Sequence, residues 1–187
     1  MGYEVLVGDQ VCKKDARICV KPLLNNAGIA ENTNEALKMA TGDFIGLLDH
    51  DDLLAPNALY EVAKALESHP KTDVIYTDED KVRADLSEHF QPNLKPDFNL
   101  DLLRSNNYIC HFFVVRRTIV EIVGGFRKEY DGAQDYDFIF RCCESAKRFI
   151  MCRKSYITGE RIRHRQQTIR QVRCMRLKPE NVQLKVI

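Results

Sequence analysis

Three acidic strings in this sequence carry side chains whose types and spacing could do chemistry. Asp49-His50-Asp51-Asp52 follows directly on the wholly apolar run Phe44 to Leu48. On an extended backbone Asp49 and Asp51 point to the same side, so both can reach one divalent cation and the diphosphate it would hold. The competing reading is a solvated acidic turn, with Asp52 near the N-terminus of the next helix. Asp78-Glu79-Asp80 ends the run VIYT in the same way. Two adjacent strands ending in acids would form one strongly negative mouth, costly unless a cation neutralises it. The alternative is again an exposed loop start. In Gly132 to Asp137 (GAQDYD), Asp135 stands at a helix start, either as part of a site or only as a cap.

The elements that must position these acids are legible from periodicity. Tyr3–Val7 and Ile18–Lys21 read as strands, the second ending near Pro22. Asn32–Ala40 reads as a helix stopped by Gly42, and Phe44–Leu48 as a buried strand. Pro56–Ser68 is a helix with Pro at its start and Leu59, Val62, Ala63 and Leu66 on one face. Val74–Tyr76 is the next strand. Asp78 to Asp101, with Pro92 and Pro96, reads as a long irregular loop shaping one side of the site. Tyr108–Val115 is a strand, Thr118–Val123 a short helix, Gly124-Gly125 a turn and Asp135–Lys147 a helix. Strand, helix, strand at this spacing predicts an α/β fold with a mostly parallel sheet flanked by helices. Ligands bind beyond the carboxyl ends of such strands, where the first two acid clusters lie.

The chain has 187 residues, 44% hydrophobic and 29% charged, which suits one domain with a real core. No apolar run approaches the roughly 18 residues of a membrane span. Seven cysteines, an odd number without a CxxC pair, fit free thiols in a reducing cytoplasm. The net charge of +1 is uneven: Met151 to Ile187 carries +8 and the first 150 residues −7. Arg161, Arg163 and Arg165 could face phosphates, but no aromatic platform or nucleic-acid motif accompanies them, so no nucleic-acid partner is expected. A phosphohydrolase using Asp49 and Asp51 would want a hydroxyl residue where Leu53-Leu54 stand, and is set aside.

The strings GIAENTNEALKMATGDFIGLLDHDD, LAPNALYEV, YTDEDK, NYICHFFVVRR, VGGF and DGAQDYD occur in one order from about Asp15 to Phe149. Together they resemble the inverting family 2 glycosyltransferases of GT-A (Rossmann-like) fold, in the branch that builds bacterial cell-surface polysaccharides. The resemblance implies that Asp49 and Asp51 contact the donor and, through Mg²⁺ or Mn²⁺, its diphosphate. Asp52 would be the extra acid of this branch, Asp135 the general base, and Asp80 a residue near donor or acceptor. Asp9, after YEVLV, would match the acid that reads the nucleotide base. The implied partners are a UDP- or dTDP-sugar donor and a saccharide or lipid-linked saccharide acceptor. The implied location is the cytoplasm, with peripheral association at the inner face of the membrane.

Two departures from that family are expected to matter. Its opening strand, ending P-x-Y-N, has no counterpart before Tyr3. After Ile150 the family continues differently, whereas a frame one base out of step, with allowed codon choices, encodes HVPKILYHWRAHQASTANNPAGKMYA. A frameshift near codon 150 is therefore expected. The sequence divides into a partial GT-A domain over 1–150, incomplete at both ends, and a basic out-of-family tail over 151–187 that orders poorly or packs non-natively.

Overall fold

The computed structural model describes residues 5–7, 18–21, 23–49, 52–83, 85–160 and 184–186. Asp9 and Asp51, and the arginines at 161, 163 and 165, lie outside the described residues. In chain order the elements are β1 (Val5–Val7), β2 (Ile18–Val20), α1 (Ile29–Met39), β3 (Phe44–Leu47), β4 (Asp52–Leu54) and α2 (Ala58–Ser68). Then come β5 (Val74–Val82), β6 (His89–Asn93), α3 (Leu100–Ser105), β7 (Phe113–Arg116) and α4 (Arg117–Val123). A 3-10 turn (Lys128–Tyr130) leads to α5 (Gln134–Ser145), β8 (Phe149–Glu160) and β9 (Leu184–Val186). One sheet runs β2-β1-β9-β3-β7-β5-β8-β4, with β6 on β5.

The sheet's two faces follow from alternation with period two. Ile45, Val74, Tyr76, Phe113 and Val115 face one way and pack under Ile119, Val120, Phe138 and Ile139 of α4 and α5. Phe44, Ile75 and Val114, one residue out of phase, face the other way onto Val62, Ala63 and Leu66 of α2. Helices thus cover both sides of the sheet's centre. Val74, Ile75, Tyr76, Phe113, Val114 and Val115 are all fully buried. Each such side chain contributes about 1.5–3 kcal/mol relative to exposure. Phe138 stacks on Phe126 with ring centroids 4.3 Å apart and meets Phe113 edge-on.

The expected α/β architecture is present, with a mixed sheet where a mostly parallel one was expected. β7 runs antiparallel to both of its neighbours, β3 and β5. β5 does not end at Thr77: it carries Asp78, Glu79 and Asp80 on to Val82, paired with β8 on one edge and β6 on the other. The expected loop from Asp78 to Asp101 is therefore a hairpin followed by the start of α3, whose N-cap Asn99 accepts the Leu102 N–H. The strand expected over Tyr108–Val115 begins only at Phe113, because Cys110 at φ 41° turns the chain out of extended conformation. β8 crosses residue 150, and residues 151–160 of the tail continue it between β5 and β4.

Candidate functional site

β3 and β7 pair antiparallel with Leu47 opposite Phe113. Two residues beyond that pair on each strand stand Asp49 and His111, so the register alone brings a carboxylate and an imidazole together at the carboxyl end of β3. Asp52 arrives from β4, held in the sheet opposite Gly159 of β8. His111 Nε2 lies 3.8 Å from Asp49 Oδ2, and Nδ1 lies 3.6 Å from Asp52 Oδ2. One ligand atom from each of the three falls within 4.8 Å of the others. Burial works against charge on the imidazole, but its hydrogen bond to Cys110 and the charges of Cys110, Asp49 and Asp52 prevail, lifting it to about 10. Two carboxylate oxygens and an imidazole nitrogen, partly open to solvent, form a donor set that divalent cations accept.

The second acid cluster is organised differently. Asp78 is buried, and its Oδ1 accepts the Lys95 backbone N–H at 2.7 Å. Glu79 Oε2 accepts from Lys95 Nζ at 2.9 Å, and Oε1 from Asn93. Asp80 Oδ2 lies 3.0 Å from His89 Nδ1 across the β5–β6 hairpin. β8 separates β5 from β4, with Asp80 opposite Thr158 and Asp52 opposite Gly159. Those two acids therefore sit about 10 Å apart along the sheet. The single negative mouth expected from two adjacent strands is divided into two stations, and the Asp78-Glu79-Asp80 station is occupied by Lys95 and His89.

Asp135 lies in the first turn of α5, half-buried, and its side chain makes no hydrogen bond or ion pair with any described residue. Its neighbour Asp137 is fully engaged: Oδ2 accepts from Arg141 Nε and Nη2 at 2.9 and 2.7 Å, and Oδ1 is 3.6 Å from Arg127. Arg141 also donates to the Val123 and Gly125 carbonyls, so that pair fastens α5 to α4. Asp131 accepts the Ala30 N–H at 3.1 Å, tying the loop before α5 to the start of α1. Gly28 (φ 103°) permits this approach, since a Cβ there would lie 2.7 Å from Asp131 Oδ2.

Sequence reasoning missed His111 and Lys95. The signal for His111 is its place two residues before the apolar strand FVV, but it becomes informative only once β7 is known to run against β3.

Comparison with known proteins accords with this architecture. The family described as Glycosyl transferase family 2 matches residues 5–124. The O-antigen biosynthesis protein RfbC of Myxococcus xanthus is 40% identical over 136 residues, covering 73% of this chain and 11% of that protein. The crystal structure of S. aureus TarS 1-349 in complex with UDP-GlcNAc superposes with a TM-score of 0.62 at 21% identity, covering 79% of this chain and 43% of that one. The mannosyltransferase PcManGT from Pyrobaculum calidifontis, in complex with GDP-Man and Mn²⁺, superposes at 0.53 with 19% identity, covering 80% and 41%. The chain spans only about a ninth of the length of RfbC. The likenesses to solved structures show the GT-A fold, and by the span of the family match the chain belongs to glycosyl transferase family 2.

Proposed function

We propose that this chain forms the donor-binding and catalytic part of an inverting, divalent-cation-dependent glycosyltransferase that serves cell-surface polysaccharide synthesis. The observation that carries this reading is the meeting of Asp49, just past the carboxyl end of β3, with Asp52 at the start of β4 and His111 just before β7. Asp49, Asp52 and His111, together with Asp51 as the family resemblance implies, would hold Mg²⁺ or Mn²⁺. That cation, when bound, supplies positive charge against the diphosphate of the donor. The donor is a nucleotide sugar, UDP- or dTDP-linked, which the UDP-GlcNAc complex of TarS supports by analogy of fold. Asp9 reads the nucleotide base, and Asp80 lies toward donor or acceptor.

Asp135 is the general base, and its carboxylate has no hydrogen-bond or ion-pair partner among the described residues. The acceptor is a saccharide or lipid-linked saccharide. Its hydroxyl gives its proton to Asp135 while the oxygen attacks the anomeric carbon from the face opposite the nucleotide. The new carbon–oxygen bond forms as the bond to the diphosphate oxygen breaks, which inverts the anomeric centre. Among the described residues no helix is long and apolar enough to cross a membrane. We place the protein in the cytoplasm, with peripheral contact at the inner membrane face. The division into a partial GT-A domain over 1–150 and an out-of-family tail over 151–187 belongs to the same proposal.

The test is calorimetric titration of UDP and UDP-GlcNAc, and of their dTDP counterparts, with and without Mn²⁺. Saturable binding of one nucleotide that requires Mn²⁺ and fails in Asp49→Asn supports the reading. Binding without transfer would make the chain an inactive remnant of the family, and no nucleotide binding at all would overturn the donor site.

A further inference from the structure

Lys95 is a buried cation with no part in the chemistry above. It lies where one edge of β5 changes neighbours. Val74–Tyr76 pair with β7 along that edge, and Glu79–Val82 pair with β6. The Lys95 side chain has no exposure to solvent. Its three ammonium protons are all spent: on Glu79 Oε2 at 2.9 Å, on the Ile109 carbonyl at 2.6 Å and on the His111 carbonyl. The two carbonyls flank Cys110, and they can converge on one nitrogen only if the chain folds back between them. The φ of 41° at Cys110 is that fold. Burial pushes the amine's pKa down and Glu79 opposes it. A core position serving packing alone is better filled by an apolar side chain than by a desolvated ammonium.

We propose that Lys95 is a positioning residue: by tying the Ile109 and His111 carbonyls to Glu79, it aims the His111 imidazole between Asp49 and Asp52. The proposal rests on the cation reading of that site. Lys95 itself touches neither substrate nor cation. Outer partners of this kind typically alter cation affinity about 10–100-fold when lost.

The experiment uses Mn²⁺ alone as probe, read by electron paramagnetic resonance for affinity and by electron spin echo modulation for nitrogen coupling. In the unmodified chain, bound Mn²⁺ should show a nitrogen coupling that disappears in His111→Gln. Lys95→Met should keep Mn²⁺ on the carboxylates, weaken affinity about 10–100-fold and lose the same coupling. A Lys95→Met protein with unchanged coupling and affinity would reduce Lys95 to packing and overturn the proposal. If Lys95→Met does not fold by circular dichroism, Lys95→Gln decides, since its amide can still donate to a carbonyl. A weakened coupling with lower affinity supports the proposal, and an unaltered site overturns it. The two readings fail separately. Mn²⁺ that binds the unmodified chain without nitrogen coupling removes the role of Lys95 and leaves the carboxylates. No Mn²⁺ binding to the unmodified chain removes the cation site and the proposal with it.

Discussion

His111 Nδ1 stands 3.6 Å from Asp52 Oδ2, although the two residues come from opposite halves of the chain and β5 and β8 lie between β7 and β4 in the sheet. The contact exists because β7 reverses direction and delivers its preceding loop to the end of the sheet where β3 and β4 leave their acids. Cation binding at this point should consequently depend on side chains from both halves. Asp52→Asn and His111→Gln are each expected to lower Mn²⁺ affinity by at least the roughly 10–100-fold typical of outer partners. Titration of the two variants checks this, and an affinity unchanged in both would remove the cation site.

Asp135 and Asp137 share the first turn of α5 but should respond oppositely to substitution. Asp135→Asn is expected to leave donor affinity and stability intact while lowering the transfer rate by about 10²–10⁴-fold. Asp137→Ala strands Arg141 among carbonyls and should destabilise the fold by about 3 kcal/mol. Chemical denaturation of both variants, with a transfer assay on the first, separates the roles. Full transfer by Asp135→Asn would disqualify it as the base.

Proton release should accompany cation uptake. Without a cation, the folded-state pKa of His111 is raised to about 10, above the roughly 6.5 of an unfolded chain. Its ionic contribution to stability is therefore full below about 6.5 and is lost as pH rises through about 10. Between pH 6 and 8 a binding cation must displace that proton. Mn²⁺ affinity should rise about tenfold per pH unit, with about one proton released. Calorimetry in buffers of different ionisation enthalpy measures the proton directly, and affinity independent of pH would contradict the prediction.

Much of the scaffold is legible in the amino-acid sequence. The runs FIGL and VIY, the helix LYEVAKALES and the acids that follow the apolar runs declare themselves through composition and periodicity, which are local properties. What escapes a local reading is set by pairing. Asp78, Glu79 and Asp80 look like a loop because they are charged, yet they are strand residues since β6 and β8 hold both edges of β5. Lys95 reads as a surface lysine in a proline-rich stretch, and only the converging carbonyls of Ile109 and His111 make it a core residue. The α1 region is legible in type but not in start, because the Ala30 N–H in its first turn is met by Asp131, a hundred residues away in the chain.

Along a single edge, β5 trades β7 for β6. Strands that part company in the middle of a sheet leave a permanent fork, and here it lies where Lys95 holds the Ile109 and His111 carbonyls. Here the fork is filled by the buried Lys95 side chain, whose bonds to Glu79 and to the Ile109 and His111 carbonyls are made without a ligand. Free and loaded forms of this region should therefore share one shape, so that little binding energy is diverted into reorganisation.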